Sequence, residues 1–161
     1  MLSYHFRRIV HLLLPKSALK ACSELLNLYW GWRRAGLREY VTLRRLRGSE
    51  LSSFCSRTLR FPLFYRNNTT DVEVILGTIV REEYATPLLP SGAKIIVDAG
   101  VNIGDMFCWL LSQFADAMVI AIEPNPGTFA VLKMNLQPYG DRAVAINAAL
   151  WSANCALRLD D

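Results

Sequence analysis

Residues 94–104 read Lys94-Ile-Ile-Val-Asp-Ala-Gly-Val-Asn-Ile-Gly104, and this stretch decides the fold. An apolar run ends at an acidic residue and passes into glycines and an asparagine. This order is typical of a buried parallel strand, a tight turn and the start of a helix. Gly100 can adopt positive φ, and Gly104 lets the helix approach the strand closely. We expect backbone N–H groups of the turn to face a ligand lying over the carboxyl end of the strand.

The spacing of the small residues narrows the class of ligand. A dinucleotide fingerprint reads G-x-G-x-x-G, whereas here Asp98 is followed at alternate positions by Gly100, Asn102 and Gly104. An acidic strand end followed by this pattern resembles the first motif of class I S-adenosyl-L-methionine methyltransferases. A glycine turn between any strand and any helix could read the same way, so the turn alone leaves both interpretations open.

A second apolar strand supports a nucleotide-type site. Residues 105–114 predict a helix packed on a sheet, and residues 117–122 predict a strand that ends at Glu123. Glu123 lies nineteen residues after Gly104, close to the offset of about 20 at which an acidic residue meets a ribose in Rossmann-type units. We expect its carboxylate to accept hydrogen bonds from both ribose hydroxyls and to repel a 2′-phosphate, which argues against NADP. The alternative is a solvated loop glutamate.

Four motifs follow one another along the chain. They are Val-Asp-Ala-Gly-Val-Asn-Ile-Gly-Asp (97–105), Val-Ile-Ala-Ile-Glu-Pro-Asn-Pro (119–126), Leu132-Lys-Met-Asn-Leu136 and Ile146-Asn-Ala-Ala-Leu-Trp151. A lead-in precedes them, with Arg60-Phe-Pro-Leu-Phe-Tyr-Arg66, Thr69-Thr-Asp-Val72 and Glu83-Tyr84. Over about residues 60–155 the sequence resembles the FkbM-type methyltransferases.

This resemblance implies an α/β fold with a Rossmann-like class I methyltransferase sheet and S-adenosyl-L-methionine as cofactor. It also implies O-methylation of a hydroxyl group on a sugar or natural product, so the partner would be a small-molecule or glycan acceptor. Carried over to the matching positions, the residues around the amino-acid end of the cofactor would be Asp98, Gly100, Asn102 and Gly104. Glu123 would hold the ribose and Asn125 would shape that loop. Asn147, after a predicted strand at residues 143–146, would either bind the adenine or serve the turn.

The sequence departs from the family near Asp161. The family's later segment, an Asp followed shortly by Glu-Gly, is absent from the sequence, and that segment borders the methyl-transfer site. We therefore expect a C-terminally incomplete methyltransferase domain that is inactive alone, and we assign neither a catalytic residue nor a general base. Two alternatives stay open: an NAD-type nucleotide-binding half-domain, and a non-enzymatic adaptor for membranes or nucleic acid.

Charge is distributed unevenly along the 161 residues, of which 52% are hydrophobic and 20% charged, as in folded proteins. Residues 1–66 hold 13 Lys and Arg against 3 Asp and Glu (+10), and residues 67–161 hold 5 against 11 (−6), which together give the net +4. We predict three segments: a basic helical lead-in (1–59), a strand–helix lead-in (60–92) and the first half of the cofactor domain (93–161).

The basic segment, helical over about residues 1–48, mixes leucines, tryptophans and arginines. Such a helix could lie on an anionic membrane surface or contact nucleic-acid phosphates. We favour a third interpretation, a solvated lead-in whose apolar stripe packs on the domain, because no nucleic-acid motif is present. The segment makes a poor signal peptide, so we expect a cytoplasmic protein, with weak peripheral membrane contact as the alternative.

Smaller patterns complete the prediction. Residues 48–56 predict a polar connector, 61–65 a strand, and Asn67-Asn68 a turn. Thr70 and Glu73 fit a capping box for a helix with an apolar face made by Val72, Ile75, Leu76 and Ile79. Residues 128–136 predict a helix with Phe129, Leu132 and Leu136 at core spacing, and a further strand begins at residues 155–159. The four cysteines, without a C-x-x-C pair, predict buried reduced thiols, and neither histidine suggests a metal site.

Overall fold

The chain forms a mixed α/β fold in the computed structural model, which describes residues 15–45, 50–83, 93–153, 155, 156 and 158. The elements are, in order, helices α1 (Lys16–Arg34) and α2 (Leu37–Arg45), strands β1 (Leu51–Phe54) and β2 (Leu63–Arg66), helix α3 (Asp71–Ile75), strand β3 (Ile95–Ala99), helix α4 (Asp105–Gln113), strand β4 (Met118–Ile122), helix α5 (Pro126–Leu136) and strand β5 (Ala143–Ile146). A π-helical turn (Leu76–Val80) continues α3, and a 3₁₀ turn (Gln137–Arg142) continues α5. The predicted α/β class is confirmed.

A parallel sheet with the order β3-β4-β5 carries the second half of the described chain. Val97 pairs with Ile120, and Ile120 pairs with Val144. Helices α4 and α5 are the crossovers between successive strands, as the parallel direction requires. The strands predicted at residues 117–122 and 143–146 and the helices predicted after Gly104 and Glu123 are therefore confirmed to within two residues.

The two faces of this sheet differ. Both crossovers proceed in the same direction across the sheet, so the right-handed rule puts α4 and α5 on the same face. There they cover Val119 and Ala121, which are fully buried. The other face, here named the open face, exposes apolar side chains at Ile95, Val97, Met118, Val144 and Ile146.

The prediction that β3 is a buried strand is wrong. Ile95 is 63% exposed and Val97 is 59% exposed, because β3 lies at the edge of the described sheet and its outward side chains belong to the open face. Its apolar composition resembles that of a strand covered on both sides, but coverage depends on neighbouring elements rather than on the strand itself.

The basic segment, predicted to be helical, forms two helices in the described region, and residues 1–14 and 46–49 lie outside it. Gly36 separates them with φ 98°, and its N–H donates to the carbonyls of Gly31 and Trp32, both at 3.1 Å. This is a glycine helix terminus of the αL type. None of the helices in the described ranges combines the length and the apolar character that crossing a bilayer requires.

The favoured expectation for this segment, an apolar stripe packed on the domain, is wrong. In α1 the only buried residue is Gly31. The leucine and aromatic side chains instead face outward, at Leu25, Leu26, Leu28, Tyr29, Trp30 and Trp32. The contacts of α1 with the rest of the protein are made at other positions, by Glu24, Gly31 and Arg34.

An antiparallel hairpin of β1 and β2 precedes the parallel sheet, with Leu51 opposite Arg66 and Phe54 opposite Leu63. The strand predicted at residues 61–65 is thus confirmed, but the polar connector predicted at 48–56 is wrong because β1 lies within it. Phe54 is buried, and the ladder accommodates two serines between its apolar ends. The segment boundary predicted after residue 59 falls inside this hairpin.

Helix α3 begins differently from the prediction. No side-chain capping bond forms at Thr70, so the capping box is wrong. Thr69 makes the side-chain hydrogen bonds at the start of the helix instead. Its Oγ1 accepts from the Asp71 N–H at 3.2 Å and donates to the Arg66 carbonyl at 3.0 Å. The turn predicted at Asn68 is confirmed by its φ of 61°. The apolar face is confirmed at Ile75, Leu76 and Ile79, all buried, whereas Val72 is only half-buried.

Two remaining expectations concern cysteines and the end of the chain. All four thiols are free, but only Cys108 is buried, so buried thiols are wrong for Cys22, Cys55 and Cys155. Of the strand predicted from residue 155, the described positions 155, 156 and 158 are not in a strand, and positions 157 and 159 lie outside the described residues.

Candidate functional site

The turn after β3 contains three residues in the left-handed region. Gly100 has φ 83°, Asn102 φ 53° and Gly104 φ 79°. Asparagine is one of the few non-glycine residues that adopt this conformation readily. The expected positive φ at Gly100 is confirmed, and alternation of left-handed residues folds the chain back over the end of the sheet.

Gly104 is required by contact as well as by conformation. A Cβ there would lie 2.5 Å from Leu132 Cδ1 on α5. The close approach that needs a glycine is therefore between the turn and α5, rather than between α4 and its own strand as predicted. At Gly100 a Cβ would meet no atom within 4 Å, so the turn is tight at one glycine and open at the other.

Glu123 joins this turn to the end of β4. Its Oε2 accepts from the Asn102 N–H at 3.0 Å, and its Oε1 accepts from the Asn125 N–H at 2.9 Å. The side chain is 7% exposed, so Glu123 is not a solvated loop residue. Each carboxylate oxygen has further acceptor capacity, and the structure thus brings together the predicted turn and the predicted acidic residue.

Asn125 and Asn147 organise the loop after β4. The Asn125 side chain caps α5 by accepting from the Thr128 N–H at 3.0 Å, with Pro126 at the first helical position. Asn147 Nδ2 donates to the carbonyls of Glu123 at 2.8 Å and Pro124 at 3.1 Å. Asn125 therefore shapes the loop, and Asn147 serves the turn, which is one of the two roles expected of it.

The amides of the glycine turn are largely engaged within the protein. The N–H groups of Gly100 and Val101 donate to the Ile122 carbonyl at 2.8 and 3.4 Å, and that of Gly104 donates to Val101 at 3.0 Å. The Asn102 N–H is bound by Glu123. For these four amides, the expectation that they face a ligand is wrong, because they hold the turn itself in shape.

Asp98 stands apart from this network. It is exposed at the end of β3, and its carboxylate forms no hydrogen bond or ion pair with the described part of the chain. Together with the space beside Gly100, it leaves the β3 side of the site open. The predicted residues thus divide into an internally bonded part around Glu123 and an open part at Asp98 and Gly100.

Arg66 and Asp71 form an ion pair near the site that received no role from the sequence. Arg66 Nε lies 3.0 Å from Asp71 Oδ2, and Arg66 Nη2 lies 2.9 Å from Asp71 Oδ1. Burial alone would raise the pKa of Asp71, but hydrogen bonds from Arg66 outweigh it and the pKa is lowered. Hydrogen bonding to Asp71 raises the pKa of Arg66, and the charge of Glu123 adds to this. No local pattern signals this pair, because it depends on how β2 and α3 meet.

Asp105 is a second residue without a predicted role. It is buried at the first turn of α4, and its Oδ2 has no hydrogen-bond partner among the residues that the structure describes. Burial raises its pKa, although hydrogen bonds from Thr78 and from the amides of Asp105 and Met106 oppose the shift. The π-helical turn brings Thr78 to this carboxyl group, and periodicity gives no sign of such a turn.

A groove beside α5 and the distribution of metal-binding side chains also describe the surroundings of the site. A groove of about 870 Å³ lies between α5 and β5, lined by residues such as Phe129, Met134 and Ala145, and it includes neither Glu123 nor the glycine turn. Within residues 15–45, 50–83 and 93–153, no cluster of three or more His, Cys, Asp and Glu residues could hold a metal ion.

No family model fits the chain, and no curated protein matches it.

Proposed function

We propose that this chain carries the cofactor half of an S-adenosyl-L-methionine-dependent methyltransferase of the FkbM type, with a Rossmann-like sheet. The acceptor would be a hydroxyl group of a sugar or natural product. The observation that carries the proposal is the Glu123 carboxylate, held by the N–H groups of Asn102 and Asn125 at 3.0 and 2.9 Å at the carboxyl edge of parallel strands. Ligands of open α/β sheets bind at this edge.

Strand topology supports the same proposal. The order β3-β4-β5, with a helix after each of the first two strands, puts the glycine turn, Glu123 and Asn147 at the ends of neighbouring strands. A ligand lying across this edge would contact all three in turn. Its amino-acid end would lie at the glycine turn, its ribose at Glu123, and its base toward Asn147.

The chemistry of the site fits such a cofactor. Glu123 keeps acceptor capacity on both oxygens for a vicinal diol, and its position is already fixed by two amides. The space beside Gly100 lets a ligand approach the main chain. The exposed Asp98 carboxylate adds negative charge, which favours a cationic group over a phosphate. These features argue for an uncharged ribose diol and a positively charged sulfonium.

In this proposal the protein acts mainly by positioning. The bound cofactor supplies a methyl group activated on a sulfonium. Glu123 would hold the ribose, and the turn from Gly100 to Gly104 would hold the other end of the cofactor, so that donor and acceptor could be aligned for methyl transfer. The residue that receives the acceptor's proton is left unassigned.

The test is saturation-transfer NMR of S-adenosyl-L-methionine with the full chain. Glu123→Gln keeps the size of the side chain but removes its charge, and the dissociation constant should rise about tenfold or more because charge-assisted hydrogen bonds to the ribose are lost. Asp116→Asn is the matched control, since Asp116 is an exposed acid just before the amino end of the same strand, β4. It should bind like the wild type.

Excess NAD serves as the competitor, and cooperative thermal unfolding is recorded for each variant because Glu123 also accepts two amide protons. Saturable binding that weakens in Glu123→Gln, is unchanged in Asp116→Asn and resists NAD would support the proposal. A cooperatively folded wild-type chain that fails to bind, or that prefers NAD, would contradict it.

A further inference from the structure

An apolar stripe runs along the outward side of α1. It consists of Leu25, Leu28, Tyr29 and Trp32, which have the i, i+3, i+4 and i+7 spacing of one helix face. Leu25 is 67% exposed, Tyr29 47% and Trp32 50%. The Tyr29 and Trp32 rings contact each other with centroids 6.3 Å apart. Contiguous apolar surface of this kind marks an interaction site more often than a solvent-facing helix.

The direction of this stripe is fixed by contacts on other sides of α1. Gly31 packs directly on the Tyr40 ring of α2, where any Cβ would collide with the ring. Arg34 forms an ion pair with Glu82 at 2.6 Å and donates to the Val80 carbonyl. Arg44 of α2 binds Glu24 at 3.0 Å. Since these contacts anchor the helix, α1 cannot roll to bury the stripe without losing them.

Positive charge is concentrated on the segment that carries the stripe. Residues 15–45 hold seven cationic and two acidic side chains, which gives +5. Arg34 and Arg44 form ion pairs. The other five cations have no acidic partner among the described residues: Lys16, Lys20, Arg33, Arg38 and Arg45. Arg33 follows Tyr29 by one helical turn. Arg45 lines a groove of about 270 Å³ between α1 and α2 together with Leu25 and Leu28.

We propose that α1 and α2 form an interfacial surface that docks the protein on anionic lipid bilayers. Tryptophan and tyrosine favour the headgroup level, where a ring is partly apolar and partly hydrated. Leucines between them can enter the upper acyl region, and the neighbouring cations Arg33 and Arg45 attract anionic headgroups. The helix would lie parallel to the bilayer with Leu25, Tyr29 and Trp32 inserted.

Charge and shape distinguish this partner from two others. A second copy docked through the same surface would bring together two segments that each carry a net charge of +5, and like charges oppose such a contact. Nucleic acid would need cations at the centre of the surface, whereas the centre here is apolar and the neighbouring cations, Arg33 and Arg45, lie at its edges. An anionic bilayer satisfies both the charge and the apolar stripe.

The experiment is flotation of the full chain with phosphatidylcholine vesicles, with and without phosphatidylserine. The wild type should float with the phosphatidylserine vesicles and bind about tenfold more weakly to phosphatidylcholine alone or at high salt. Leu25→Glu should reduce binding about tenfold or more beyond the loss in Asn27→Glu. Asn27 lies on the opposite side of α1, and both substitutions add one negative charge, so their difference isolates apolar insertion.

Leu25 is mostly exposed, so its substitution should leave the fold intact, which thermal unfolding checks. The same samples are run without vesicles by size-exclusion chromatography and against duplex DNA. Equal flotation of the two variants, or a wild type that does not float, would overturn the proposal. So would a dimer that only Leu25→Glu dissociates, or tighter salt-sensitive binding to DNA than to the vesicles.

Discussion

The side chain of Asn135, on α5, binds both main-chain groups of Phe64, on β2. Its Oδ1 accepts from the Phe64 N–H at 2.6 Å, and its Nδ2 donates to the Phe64 carbonyl at 3.0 Å. The same Nδ2 donates to the Ile103 carbonyl in the glycine turn at 2.8 Å. One buried amide thus completes the edge of the hairpin and holds the turn of the candidate site.

Replacing this amide should destabilise the whole fold. Asn135→Leu has similar volume but leaves the Phe64 and Ile103 groups without partners in a buried place, which should lower the free energy of unfolding by about 3 kcal/mol. Urea denaturation followed by circular dichroism measures the change. Met134→Leu, at a partly exposed neighbour, should change stability by less than about 0.5 kcal/mol. Similar losses in both variants would show that the Asn135 hydrogen bonds are weak.

The two glycines of the turn should respond differently to alanine. Both have left-handed φ near 80°, so each substitution carries a conformational cost of about 1 kcal/mol. In Gly104→Ala the added methyl group also collides with Leu132, so the free energy of unfolding should fall by about 1–3 kcal/mol more. At Gly100 the added methyl group would meet open space. Gly100→Ala should therefore lower the free energy of unfolding only by the conformational cost of about 1 kcal/mol. Equal losses in urea denaturation would mean that α5 moves to accommodate the methyl group.

Asp105 should make stability depend on pH in an unusual direction. Burial raises its folded-state pKa, so the folded state holds this proton more tightly than the unfolded state. The resulting stabilisation is complete below the unfolded pKa and is lost as pH rises through the folded pKa. The neighbouring charges include Asp71, which raises the pKa, and the thiol of Cys108 lies on the same helix.

Asp105→Asn removes this titration. Between acid and neutral pH, the wild type should therefore lose stability relative to the variant as pH rises, measured as the difference in free energy of unfolding in parallel urea series. Asp141→Asn, an exposed acid before β5, should follow the wild type at every pH. A difference between wild type and Asp105→Asn that grows in the opposite direction would show that Asp105 ionises more readily in the folded chain.

The cysteines should divide into three reactive thiols and one protected thiol. Cys22, Cys55 and Cys155 are exposed, whereas Cys108 is buried. Burial raises the pKa of Cys108 well above its usual range, and its Sγ lies 3.5 Å from the Asn135 carbonyl, so little thiolate is available. Iodoacetamide followed by mass spectrometry should give three adducts in native buffer and a fourth in urea. Rapid native modification of Cys108 would indicate local opening of α4.

Local patterns in the sequence predicted the elements that position the site. The apolar run before Asp98, the glycines after it and the run before Glu123 each encode a strand or turn by themselves, and their parallel pairing brings Asn102 and Glu123 together. Strand β1 was missed because Leu-Ser-Ser-Phe is too short and too polar to show alternation. The exposure of the open face of the parallel sheet was not predictable either, because the burial of a strand depends on the elements that pack against it.

Contacts between distant positions explain the remaining differences. Asn135 and Phe64 are 71 residues apart, and an asparagine on a helix gives no sign that it will bind a strand. The burial of Asp105 depends on the π-helical turn that carries Thr78. The outward direction of the α1 stripe depends on Gly31 meeting Tyr40, because the stripe's own periodicity suits an inner or an outer surface equally.

The open face of the parallel sheet has a practical consequence for work with the purified chain. The dye ANS fluoresces when it binds clustered apolar surface, and strong fluorescence is commonly taken as a sign of a molten globule. Here Ile95, Val97 and Val144 offer such a surface on ordered strands. Bright ANS emission from this protein should therefore coexist with a sharp near-ultraviolet circular dichroism spectrum, and only loss of the latter would report disordered packing.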